Sequence, residues 1–173
     1  MINTACAQPD LFSTLYVELH RLARREAGRY GPNGAMSPTT LLHEAYLDIS
    51  KRDALSFPDQ ARFMAYAARA MRGLVIDRVR ARHAQKRGGG LDITVLDTHV
   101  ADQIEQPELL THVSEALDEL AFLDPDLAQV VDLKFFCGFS MSEIATLQGV
   151  SERTVQRQWE KARLLLYRAL STG

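Results

Sequence analysis

Residues 139–169 read FSMSEIATLQGVSERTVQRQWEKARLLLYRA, and the punctuation of this stretch predicts two helices joined by a tight turn. Ser140 can cap the first helix, and Glu143, three residues on, completes a capping-box pattern that satisfies two otherwise orphaned backbone N–H groups. Gln148-Gly149 supplies the break, because glycine tolerates the left-handed conformation that ends a helix. Ser151 can cap the second helix, along which Val155, Trp159, Ala162, Leu166 and Ala169 recur at three- and four-residue steps. Ala145, Gly149 and Val155 thus hold the small, turn and core positions of a helix-turn-helix. Glu152, Arg153, Thr154, Gln156, Arg157 and Lys161 fall outside the apolar stripe, where a helix lying in a major groove presents side chains to base edges and phosphates. A plain antiparallel helical hairpin is the competing reading. Agreement of caps, turn, core spacing and polar face favours DNA.

Charge is segregated along the 173 residues. The net of −2 conceals 14 Lys+Arg against 8 Asp+Glu in residues 1–87, none against 11 in 88–133, and 6 against 3 in 134–173. Two basic segments on either side of an acidic belt suggest two surfaces for a polyanion. Cys6 and Cys137 lie far apart without metal-ligand spacing, which points to a reduced, cytoplasmic protein. No apolar run reaches the ~18 residues needed to cross a bilayer, and the N-terminus lacks a signal-peptide pattern. The five histidines form no zinc-like cluster, so neither metal nor cofactor is expected.

Helical periodicity dominates, and the expected fold class is all-α, with two small helical domains. A helix over about Gln8–Arg29 carries Leu11, Leu15, Leu19, Leu22 and Ala23 on one face, and Tyr30–Gly34 breaks it. Ser37-Pro38 starts the next helix, with Leu41, Leu42, Ala45, Tyr46 and Ile49 buried. A loop near Asp53–Asp59 leads to a long helix over about Gln60–Lys86, with Phe63, Ala67, Ala70, Leu74 and Ile76 or Val79 inward. Three glycines at 88–90 end that helix, and an acidic linker covers 88–106. Helices over about Pro107–Ala121 and Pro125–Phe136 precede the helix-turn-helix.

The long helix is the second informative feature. Arg62, Arg69, Arg72, Arg78, Arg80, Arg82, Lys86 and Arg87 stand against one acid, Asp77, with Phe63, Met64, Tyr66 and Met71 interleaved. Cations of this density neutralise phosphates, and any exposed aromatic could stack on unpaired bases, although residues at helical spacing are commonly core.

Together the two domains resemble a bacterial RNA polymerase sigma factor of the extracytoplasmic-function group (group IV), which keeps only the second and fourth sigma domains. The resemblance spans about residues 8–87 and 107–171. LLHEAYLDISK (41–51) resembles the helix that docks on the clamp of the polymerase β′ subunit, and FMAYAARAMRGLVIDRVRARHAQKR (63–87) the helix that melts and reads the minus-ten element. LDPDLAQVVDLKFFCGFSMSEIATLQGVSERTVQRQWEKAR (123–163) resembles the fourth domain, which reads the minus-thirty-five element. The resemblance implies a non-catalytic, alternative sigma factor whose partners are core polymerase (β′ clamp and β flap) and promoter DNA. It places Leu41, Leu42, Glu44 and Asp48 at the polymerase. Arg69, Arg72, Arg78, Arg80 and Arg82 fall near the melting point, and Arg153, Thr154, Gln156, Arg157 and Lys161 in the minus-thirty-five groove. The loop at about Arg52–Gln60 would help to capture flipped bases.

Members of the group usually carry acids just before the clamp-docking helix. Here residues 35–40 are AMSPTT, with no acid until Glu44, which resembles the branch linked to serine/threonine kinases. Phosphorylation of Thr39, or secondarily Thr40 or Ser37, would supply the absent charge and would sit favourably at the helix N-terminus. A stand-alone helix-turn-helix regulator is the alternative. A helical enzyme using Asp124 with Asp126, or Glu115 with Glu119, fits poorly, because these acids sit at local spacings that mark helix starts and solvated faces.

Overall fold

A computed structural model describes residues 8–29, 36–52, 56–88 and 107–172, and among them every regular element is helical. The N-terminal half consists of α1 (Gln8–Thr14), α2 (Tyr16–Arg29), α3 (Pro38–Ser50) and α4 (Gln60–Gly88). The C-terminal half consists of α5 (Pro107–Leu123), α6 (Pro125–Val131) with a π-helical turn at Asp132–Phe136, α7 (Met141–Gln148) and α8 (Glu152–Thr172). Apart from Gly88, which ends α4, the acidic linker expected over 88–106 lies outside the described residues.

Local signals set most boundaries. The single helix expected over Gln8–Arg29 is interrupted at Leu15, yet the Leu15 and Leu19 N–H groups still bond to the Leu11 and Leu15 carbonyls, so the axis barely breaks. Ser37 caps α3 by accepting from the Thr40 N–H at 3.1 Å, Pro38 fills the first turn, and that turn contains no acid. At the end of α6 the Cys137 N–H donates to the Asp132 carbonyl at 2.9 Å, the five-residue span of a π turn.

α4 is buried on two sides. Phe63, Met64, Ala67 and Met71 are sealed from solvent, so the thioethers and this aromatic are core residues and not stacking platforms; Tyr66 is half-buried. Ala70 and Leu74, expected inward, are only half-buried. A second stripe at three- and four-residue steps, Ala61, Ala65, Ala68, Arg72 and Ile76, is also buried. Its side chains lie toward the C-terminal half, since Arg72 bonds to Asp132 and Ala65 shares a cleft with Pro125 and Gln129. Small alanines let the two halves approach closely, and their buried side chains join in one continuous core.

Candidate nucleic-acid interface

The helix-turn-helix is built as its residues require. The Glu143 N–H donates to Ser140 Oγ at 3.1 Å, and the Ser140 N–H donates to Glu143 Oε2 at 2.7 Å. The Ser140 N–H, and after it the Ser140 hydroxyl, hold the Glu143 carboxyl below its ordinary pKa. Gly149 closes α7 in the left-handed region, at φ 67°. Ser151 Oγ accepts from the Thr154 N–H at 3.2 Å at the start of α8.

On α8, Val155 and Ala162 are buried against the rest of the domain, with Trp159 half-buried beside them. Glu152, Arg153, Gln156, Arg157, Glu160 and Lys161 point to solvent, and Thr154 is half-exposed, its hydroxyl 2.9 Å from that of Ser151. Gln156 donates to Glu160 at 3.0 Å, and Lys161 Nζ pairs with Asp124 Oδ2 at 3.3 Å. Arg153 and Arg157, one turn apart, form no ion pair with any described residue. They are the cations of this face that need give nothing up to reach a phosphate or a guanine edge.

The α4 arginines are placed differently. Arg78 is exposed and Arg82 half-exposed. Arg80 donates through Nε and Nη2 to Thr111 Oγ1 at 3.1 and 2.9 Å. Arg69 Nη2 lies 3.3 Å from Asp132 Oδ2. Arg72 is 3% exposed, with Nη1 3.0 Å from Asp132 Oδ1, Nη2 3.8 Å from Asp118, and its guanidinium 4.6 Å from the centre of the Phe136 ring. In this arrangement Arg72 is not available to DNA: it is an internal ion-pair partner.

On α3, Leu41 and Leu42 are core residues, so they cannot touch a partner and can only hold the helix in place. The outward side chains are His43, Glu44, Tyr46 and Leu47, with Asp48 half-exposed and 3.5 Å from Arg52. Thr39 and Thr40 are both exposed, but Thr40 Oγ1 is tied to Ser37 Oγ at 2.9 Å.

The sequence reading passed over Glu26 and Asp132, both buried between the halves. Glu26 Oε1 lies 3.1 Å from Arg29 Nε without the alignment of a hydrogen bond, and burial pushes its pKa to about 7 against the pull of Arg29, Arg72 and Arg25. Burial likewise raises the Asp132 pKa, opposed by Arg72 and Arg69. A signal did exist: Glu26 continues the Leu15, Leu19, Leu22 stripe, and Asp132 interrupts the apolar run VVDLKFF (130–136). A carboxylate at a core position needs a cation beside it.

Among the described residues no helix is long and apolar enough to cross a membrane. No curated protein matches the chain. The family profile for ECF sigma factors matches residues 4–172, nearly the full length. With a capped helix-turn-helix and two cationic helices in an all-helical frame, the chain belongs to the ECF sigma factor family, the alternative sigma factors that act with core RNA polymerase at promoter DNA.

Proposed function

We propose that residues 8–87 act as the second sigma domain and 107–171 as the fourth, working in the cytoplasm at the two elements of one promoter. α8 enters the minus-thirty-five major groove with Arg153, Thr154, Gln156, Arg157 and Lys161. On α4, Arg78 and Arg82, joined by Arg69, Arg72 and Arg80 once their internal partners are released, meet DNA near the minus-ten element. The outer face of α3, with Glu44 and Asp48, docks on the β′ clamp. The cleft of about 440 Å³ between α5 and α8, lined by Leu120, Leu123, Leu165 and Leu166, receives the β flap.

The observation that carries this reading is the outward placement of Arg153 and Arg157, without an ion-pair partner among the described residues, beyond a fully capped turn in a chain of this family. The test is run-off transcription by core polymerase from a library randomised at the minus-thirty-five element. Wild-type protein should select a defined sequence, and Arg157→Ala should relax the choice at one base pair. Promoter binding by the chain without any response to polymerase would favour the stand-alone regulator instead.

The bare N-terminus of α3 favours a kinase as a further partner. Phosphate on Thr39 adds about −1.5 to −2 charges to the first turn of the docking helix, which holds no acid. Thr39 is the better acceptor than Thr40, whose hydroxyl is engaged with Ser37. Core-polymerase binding should strengthen on phosphorylation and fail to respond in Thr39→Ala. Equal binding in all states would remove the switch.

A further inference from the structure

The polar groups on the outer face of α8 differ in how firmly they are held. Arg153 and Arg157 form no ion pair with a described residue, whereas Lys161 lies 3.3 Å from Asp124 and the Thr154 hydroxyl 2.9 Å from that of Ser151. Gln156 is held but not used up. Its Nε2 donates to Glu160 Oε1 at 3.0 Å, one turn farther along the helix, and both side chains are exposed.

The partner of Glu160 is informative. Arg157 stands three residues before it and Arg163 three residues after it, each within reach along a helix surface. Glu160 forms an ion pair with no described residue and accepts instead from the Gln156 amide. An ionised carboxylate accepts hydrogen bonds and donates none, so it dictates which end of the amide it meets. The nitrogen turns toward Glu160, and Oε1 turns away from it. Two groups of Gln156 then stay open, Oε1 and the second N–H. An acceptor beside a donor complements adenine, whose major-groove edge offers the N6 amino donor and the N7 acceptor. Guanine presents two acceptors there and would meet Oε1 oxygen against oxygen. Holding the amide beforehand also lowers the entropy cost of ordering a long side chain at the interface.

We propose that Glu160 is a positioning residue for base readout: it holds the Gln156 amide in one orientation, so that Gln156 selects adenine at one position of the minus-thirty-five element. This role rests on the reading of α8 as the helix in that groove. It goes further by naming the base and the side chain that enforces the choice. Glu160 acts through Gln156 and not on the base itself. Two simpler roles give other results. A plain helix-surface pair would affect stability and leave base choice alone. A carboxylate that only repels phosphates would, once removed, tighten binding to every sequence alike.

The test is a double-mutant cycle on holoenzyme, core polymerase with the full chain, bound to a promoter library randomised at the minus-thirty-five element. Wild type, Gln156→Ala, Glu160→Ala and the double variant are compared by their relative affinity for each base at each position. Both substitutions fall on the exposed face, where alanine suits a helix. Wild type should prefer adenine at one position, and Gln156→Ala should reduce that preference roughly tenfold. Glu160→Ala should reduce it about threefold, the scale of one side chain ordered in advance. The loss should appear at that position alone and vanish once Gln156 is gone. Glu160→Gln keeps the size, but its amide donates as well as accepts. Gln156 can then present either end, and the adenine preference should fall again.

An unchanged preference in Glu160→Ala, a loss spread over all positions, or the same loss without Gln156 would each overturn the positioning role. So would a base other than adenine at the position that depends on Gln156. All four results leave α8 in the groove. Wild-type holoenzyme that selects no sequence there would instead count against the reading of α8, and the role of Glu160 would fall with it.

Discussion

Two arginine-bearing helices of this protein occupy opposite situations. On α8, Arg153 and Arg157 stand in solvent with no ion-pair partner among the described residues, while on α4, Arg69 and Arg72 are turned inward onto Asp132. The residue type is the same; the difference lies in what packs opposite. α8 is the last helix of its half, and only the side carrying Val155 and Ala162 is covered. α4 lies between the two halves and is covered on both sides. Cationic density alone thus does not tell which arginines stand open to a polyanion; what packs against the helix decides that.

The comparison can be broken most forcefully at Asp132. Asp132→Ala leaves the buried Arg72 guanidinium without its closest carboxylate, and loss of one partner of a buried pair costs about 3–5 kcal/mol. Urea unfolding should register that loss for Asp132→Ala, whereas Arg157→Ala should remain within about 0.5 kcal/mol of wild type. Equal stabilities for the two variants would erase the distinction between the helices.

Glu26 sharpens it through pH. Its folded pKa of about 7 lies above the ordinary 4.5, chiefly through burial beside Arg29, Arg72, Arg25 and Asp132. The favourable contribution of the neutral carboxyl is therefore complete below pH 4.5 and is lost as pH rises through about 7. Glu26→Gln should match wild type in acid and exceed it by roughly 3 kcal/mol at pH 8. A difference between the two proteins that does not vary with pH would show that Glu26 carries no such burden.

On the open face the effects are smaller and appear in binding. Arg157→Ala in the holoenzyme should cost about 1–3 kcal/mol at a single base pair, with other positions unaffected. A uniform loss across sequences would reassign Arg157 to a phosphate. Smallest of all, Gly149→Ala should destabilise the helix-turn-helix by about 1–2 kcal/mol through backbone strain alone, since nothing lies within 4 Å of the added methyl at φ 67°. No measurable cost in thermal unfolding would show that the turn relaxes out of the left-handed region.

What was legible in the sequence divides along the same line. Ser140, Glu143, Gly149 and Ser37-Pro38 act through bonds to neighbours three residues away, so their spacing alone announces the caps and the turn. The all-helical fold and the buried stripe of α2 follow from periodicity for the same reason. Leu41 and Leu42 were expected at the polymerase because the resemblance marks a helix, but only burial separates the side chains that hold that helix from those it presents. Arg72 was expected at DNA because its partner is 60 residues away, beyond the reach of any local pattern. The alanines at 61, 65 and 68 contained the missing information: a stripe of small residues on a basic helix marks a surface against which something packs closely.

Arginine reactivity measures the contrast most directly. The free, full-length chain is treated with phenylglyoxal and labelling is followed residue by residue by mass spectrometry, then repeated after Asp132→Asn. Rapid labelling of Arg153 and Arg157 with strong protection of Arg72 in wild type is expected, and protection of Arg72 should fall in the variant. Arg72 labelled as fast as Arg157 in the wild-type chain would contradict the closed, ion-paired α4 on which the contrast depends.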